Sequence, residues 1–198
     1  MKFLRAFLFF FCLPRFLLAI PLFDQNAHHS IENIPSWVKA IDFSTEAVPI
    51  KPSQVNLQCL LIDTQSNWEE KTVYQHLAVK ALTKIGVQRI SQLSVDFDPS
   101  YCQVIMHTAR VFREGVWQDK LKNARHQLIQ RESELEDNVY NGDLTLLYFL
   151  DDIREGDIIE YSYSLAGWHP LFASHYTEEM LMQREVLLEW KTSNMGVW

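Results

Sequence analysis

From Ile34 onward, apolar and polar residues alternate over short stretches broken by turn formers, the period of half-buried strands. Val55, Leu57, Cys59 and Leu61 share one face of a first such stretch, and Val73, Leu77, Val79 and Ala81 one face of a second. Leu93, Val95 and Phe97 line a third, which Asp98-Pro99 stops because proline cannot donate to a ladder. Val104–Arg113 is a fourth, and Glu114-Gly115 makes a tight turn into Val116-Trp117. His126–Gln130 and Leu144–Leu150 read as two further strands. In the clearest alternation, Ile159, Tyr161, Tyr163 and Leu165 face one way and Glu160, Ser162 and Ser164 the other. A last strand is expected over Arg184–Trp190.

One stretch departs from this period. Ser133 and Glu136 have capping-box spacing, Leu135 and Val139 fall one helical turn apart, and Asn141-Gly142 supplies a stop. The pattern therefore predicts a mostly-β chain: an antiparallel β-sandwich with one short helix at about 133–141. The expected organisation is a signal segment over 1–23, a flexible stretch over 24–33, the β module over 34–191 and a tail over 192–198.

Charge divides the chain at the same place. The 198 residues carry 18 Lys and Arg against 25 Asp and Glu, a formal charge of −7. Before Asp24 the only charged residues are Lys2, Arg5 and Arg15, so the body holds 15 basic and 25 acidic groups, near −10. A body this acidic, with no Lys/Arg cluster, argues against nucleic acid as a partner. Lys2 and Arg5 ahead of the apolar run Ala6–Leu13 read as an export signal. Pro14-Arg15 interrupts that run, whereas a membrane span needs roughly 20 continuous apolar residues. An uncleaved anchor is the alternative, and it would be the chain's one membrane contact. Ala19 and Ala27 are candidate cleavage positions; Cys12, preceded by three Phe, lacks a lipoprotein context. The expected location is periplasmic or extracellular.

The remaining cysteines, Cys59 and Cys102, are either a disulfide suited to an oxidising compartment or two separately buried thiols. As a thiol nucleophile and base, Cys102 and His107 are five apart on one strand and so on opposite faces. Cys59 with His76 requires a tertiary meeting, on an apolar stripe where a thiolate is disfavoured. The seven histidines (28, 29, 76, 107, 126, 169 and 175) lack metal-ligand spacing. Asp151, Asp152, Glu155 and Asp157 cluster, but Arg154 among them and the missing EF-hand order favour a solvated turn in which Asp157 bonds local backbone. Trp68, Trp117, Trp168 and Trp190 are either core or a sugar-stacking platform. There is no Gly-x-Gly phosphate loop and no Gly-x-Ser-x-Gly elbow. No catalytic, cofactor-binding or metal-binding residue is therefore assigned, and no cofactor is expected.

Several runs occur in a recognisable order: Pro35-Ser36-Trp37-Val38 with Ile41-Asp42-Phe43; Leu60-Leu61-Ile62-Asp63; Tyr74-x-His76; Gly86-Val87; and Ser94 to Tyr101. Arg113-Glu114-Gly115, Gln130-Arg131-Glu132 and Gly156-Asp157-Ile158-Ile159-Glu160-Tyr161-Ser162-Tyr163 follow. Over about Pro35 to Trp190 the chain resembles a bacterial exported module of unknown function that commonly precedes a transglutaminase-like, papain-fold domain. The resemblance implies a β-sandwich in an exported protein, with the Cys-His-Asp chemistry belonging to the following domain. No such domain lies before Trp198, so the chain is expected to be a stand-alone copy or a shortened remnant, and none of the family's catalytic residues carries over. The expected function is that of a non-catalytic module acting by contact with a protein or envelope component. The alternatives are a cysteine-dependent enzyme using Cys102 or Cys59, and a carbohydrate-binding module using exposed Trp.

Overall fold

The computed structural model describes residues 28–46, 55–130 and 142–170, with the backbone of 187–188. The signal segment, the helix expected at 133–141, Trp190 and the tail lie outside the described residues. In chain order the elements are β1 (His29–Ile31), β2 (Leu57–Asn67), β3 (Thr72–Ala81), α1 (Lys84–Ile90), β4 (Gln92–Phe97) and β5 (Gln103–Arg113). Then come β6 (Val116–Asp119), a 3₁₀ turn (Leu121–Asn123), β7 (Arg125–Gln130), β8 (Leu144–Phe149), β9 (Ile158–Ala166) and β10 (Leu187–Leu188).

The strands form two open sheets. The larger runs β1-β5-β9-β3-β2-β10, with β6 also on β5; the smaller runs β4-β8-β7. Most pairings are antiparallel, but β1 on β5 and β10 on β2 are parallel, so the sandwich is mixed rather than antiparallel throughout. His29–Ile31, expected within a flexible stretch, is thus a strand of the larger sheet. The inward faces bury one core, with Leu93, Val95 and Phe97 of β4 and Leu144, Leu146 and Tyr148 of β8 against Val104, Met106, Ala109, Val111 and Ile159.

Two β-bulges reset which side chains point inward. On β2 the register shifts between Cys59 and Leu61. Cys59 pairs with the core residue Val79, but Leu61 pairs with Ala78 and belongs to a second apolar cluster with Leu60 and Ile158. The single face expected for Val55, Leu57, Cys59 and Leu61 is therefore split, because one extra residue reverses the alternation. On β5 the shift falls between Met106 and Thr108, making His107 the extra residue.

Helix α1 carries no strong apolar period in the sequence. Its start is fixed by Thr83, whose hydroxyl accepts from the Gly86 amide at 3.1 Å. Its position is fixed by Gly86: a Cβ there would lie 2.1 Å from the Asn56 carbonyl oxygen. Between β5 and β6, Glu114 (φ 51°) and Gly115 (φ 81°) form the left-handed pair of a two-residue hairpin, as their sequence implies.

Candidate functional site

The outward face of the larger sheet is polar yet buried. Ranks of side chains cross β5, β9, β3 and β2 in register: Thr108, Ser162, His76 and Asp63 form one, and Arg110, Glu160, Ala78 and Leu61 the next. The alternation of β9 is as expected, but Glu160 (3% exposed), Ser162 (0%) and Ser164 (0%) are not turned to water. Residues 32–46 cover them as a strap. Glu32 anchors it by donating its backbone N–H to Met106 O (3.0 Å), and the Gln65 side chain both accepts from Lys39 N and donates to Lys39 O, each at 2.8 Å. Trp37 donates to Glu70 (2.9 Å), and Phe43 packs edge-on against Trp117 and His76.

Between strap and sheet lies a cleft of about 400 Å³, walled by Ile34, Val38, Ile41, Phe43 and Trp117 and floored by Tyr74, His76, Thr108, Arg110, Glu160 and Ser162. Its polar groups are knitted together. Glu160 accepts from His76 Nε2 (2.7 Å), from Arg110 Nη2 (3.0 Å) and from Arg110 Nε. Burial alone would raise the Glu160 carboxyl, but the hydrogen bonds and charges of His76 and Arg110 outweigh it and hold it below the ordinary range. The Arg110 guanidinium also lies over the Trp117 ring, 4.3 Å from its centroid. Thr108 and Ser162 bond at 2.8 Å. Beside this network Asp63 is 1% exposed; one carboxylate oxygen accepts from Gln65 (2.8 Å) and the other has no partner, and burial raises its pKa.

The sequence candidates scatter. Cys102 packs in the inter-sheet core, where burial pushes its thiol up to about 11, and His107 lies on the opposite, strap-covered face. His107 Nδ1 donates to the Glu32 carbonyl (3.1 Å), leaving Nε2 to accept from the Ser164 hydroxyl (2.8 Å). Burial lowers its pKa, in keeping with a neutral ring. Ser164 is fully buried and His107 half-buried, so the serine hydroxyl of this contact is not open to solvent. Cys59 and Cys102 are separate buried thiols. His29 contacts Tyr148 and lies 4.7 Å, ring to ring, from His126. Among the described residues no three His, Cys, Asp or Glu side chains gather to hold a metal.

In the acidic turn Arg113 bonds Asp157 and Asp152, Arg154 bonds Asp152, and Asp157 accepts from the Arg154 amide, the local backbone bond expected of it. Trp117 is packed between Phe43, Phe112 and Arg110, and Trp68 stands edge-on to Trp168 at 5.0 Å. The cleft itself was not legible, because its groups come from the strap and four strands; yet Ile41, Asp42, Phe43, Tyr74, His76 and Glu160 all lie in the runs that carried the resemblance. Among the described residues, no helix is long and apolar enough to cross a membrane.

A two-sheet β module with a strap over a buried polar sheet face is the class of protein these features define. The chain belongs to the family DUF3857, a domain of unknown function with solved structures, which matches residues 69–195. No curated relative matches the sequence. Among solved structures, a candidate protease from Parabacteroides distasonis aligns at TM-score 0.48 and 10% identity, over 57% of this chain and 23% of that one. A family IIIa CBD from Clostridium cellulolyticum aligns at TM-score 0.33 and 12% identity, over 57% of this chain and 72% of that one. The present chain thus spans about a quarter of the length of the Parabacteroides protein.

Proposed function

We propose that this chain is an exported, non-catalytic module that works by contact, as the accessory part of a transglutaminase-like protein system. The observation that carries the reading is the internal neutralisation of its reactive groups. Glu160 is engaged by both His76 and Arg110, and the Cys102 thiol lies in apolar core with its pKa at about 11. A nucleophile needs an accessible group poised near neutral pH, and neither of these meets that need. Membership of DUF3857 and the basic, apolar leader are consistent with the envelope setting.

Two measurements test this. Purified chain is assayed for peptidase and amine-transfer turnover, with Cys59→Ser and Cys102→Ser as controls; no turnover is expected, and turnover abolished by either serine overturns the non-catalytic reading. Cell fractionation should place the chain in the envelope or outside; recovery from the cytoplasm with its leader intact overturns the export reading.

A further inference from the structure

The way Glu160 holds Arg110 has a consequence for the cleft. Glu160 takes the side edge of the guanidinium, through Nε and Nη2. Trp117 lies under its plane. The group is planar and rigid, so the Nη1 end of the fork is turned away from Glu160, and among the described residues no hydrogen bond uses Nη1. The Arg110 side chain is 44% exposed and lines the cleft. A guanidinium fixed on one edge and one face, with its end open, matches a planar two-oxygen acceptor.

The surroundings narrow the acceptor further. Asp42 and Glu160 line the same cleft as Lys39 and Arg110, so its carboxylates offset its cations and leave no surplus positive charge for a doubly charged phosphate; a singly charged carboxylate is the better match. Ile34, Val38, Ile41 and Phe43 supply an apolar wall for whatever the carboxylate is attached to. A volume of about 400 Å³ suits one or two residues of a peptide rather than a long chain.

We infer that the strap-covered cleft binds a small carboxylate with an apolar body, such as a peptide end, with Arg110 gripping the carboxylate end-on. This deepens the contact reading above and names its ligand chemistry. The test is titration calorimetry on the full chain with three probes: N-acetyl-leucine, its uncharged amide, and inorganic phosphate. The acid should bind about tenfold or more tightly than either other probe, the worth of a charge-assisted fork. Arg110→Lys keeps the charge facing Glu160 but lacks the fork, and should lower acid affinity to the level of the amide. Near-UV circular dichroism checks that the variant is folded. Should it not fold, the Trp117 indole resonance of the unaltered chain provides a second readout, shifting with the acid and not with the amide.

Equal binding of acid and amide, tighter binding of phosphate, full affinity in Arg110→Lys, or no binding of any probe would each overturn the inference. Chemical turnover of a bound probe would instead overturn the non-catalytic reading, so the two failures are distinct.

Discussion

Arg113 at the end of β5 grips Asp157, the residue just before β9, edge-on, with Nε 2.8 Å and Nη2 2.6 Å from the two carboxylate oxygens. The same guanidinium reaches Asp152, and Asp157 also accepts the Arg154 amide at 2.7 Å. What reads in sequence as an acidic cluster is therefore a turn clamped by arginine. Removing Arg113 leaves Asp157, almost wholly buried, without its cation. Arg113→Ala should cost about 2–3 kcal/mol, less than a fully dry pair because the Asp152 side of the guanidinium reaches water. Chemical denaturation measures it; Arg113→Lys, which keeps charge but not the fork, should fall between.

Gly86 makes a sterically sharper prediction. The Asn56 carbonyl occupies the space a Cβ would need, and backbone cannot rotate aside as a side chain can. Gly86→Ala should destabilise by about 3 kcal/mol even though alanine is the better helix former. A melting temperature at or above that of the parent would show that α1 shifts freely.

Asp63 should behave in the opposite sense. Burial raises its carboxyl pKa, so the folded state carries a penalty above that pKa and is relieved as pH falls through it. Asp63→Asn should therefore stabilise at neutral pH by about 1–2 kcal/mol, the scale of an unpartnered buried polar group. That advantage should shrink as pH falls toward the ordinary carboxylate value of 3.8. Melting curves of both proteins across pH 7 to 4 test the crossing.

Histidine titration sets a separate window. Burial lowers the pKa of His29 and of His107, and His126 lowers that of His29 further. Both rings are kept neutral by the fold, so stability is fully present above the unfolded value of 6.5 and is lost as pH falls below it toward the depressed values. His29→Gln should flatten part of this loss and leave the His107 share. Depressed Glu160 adds a second loss only when pH falls below about 4.5.

The two cysteines give a chemical check. With Cys12 replaced by Ser, a thiol reagent should find no reactive group in the folded protein and two after unfolding without reductant. None after unfolding would mean a disulfide, and one in the folded state an accessible thiol.

The strands were legible where alternation runs unbroken. Leu93, Val95 and Phe97 point inward as their spacing requires, and the Glu114-Gly115 hairpin follows from its own turn chemistry. What failed was parity across a bulge. Nothing in the letters around Leu60 or His107 marks the inserted residue, because a bulge is decided by the partner strand's register. The short helix α1 escaped for a related reason: it is held by a threonine cap and a backbone contact rather than by an apolar stripe. The cleft was hidden more deeply. Alternation located Glu160, Ser162 and Ser164 on one face, but a polar face ordinarily means water, and only the strap, from elsewhere in the chain, makes it an interior.

The long strand β5 has no bare margin: β1 lies along Val104–Met106 at one end and β6 along Arg110–Arg113 at the other, with the Lys120 amide bonding Ala109 O between them. Three residues, His29 to Ile31, thus act as a seam guard for the first part of the β5 edge of the larger sheet. Proteolytic trimming that passed Ile31 would take His29 from Tyr148 and open a row of unpaired amides and carbonyls along β5, and a single clipped molecule would become a docking strip for the next.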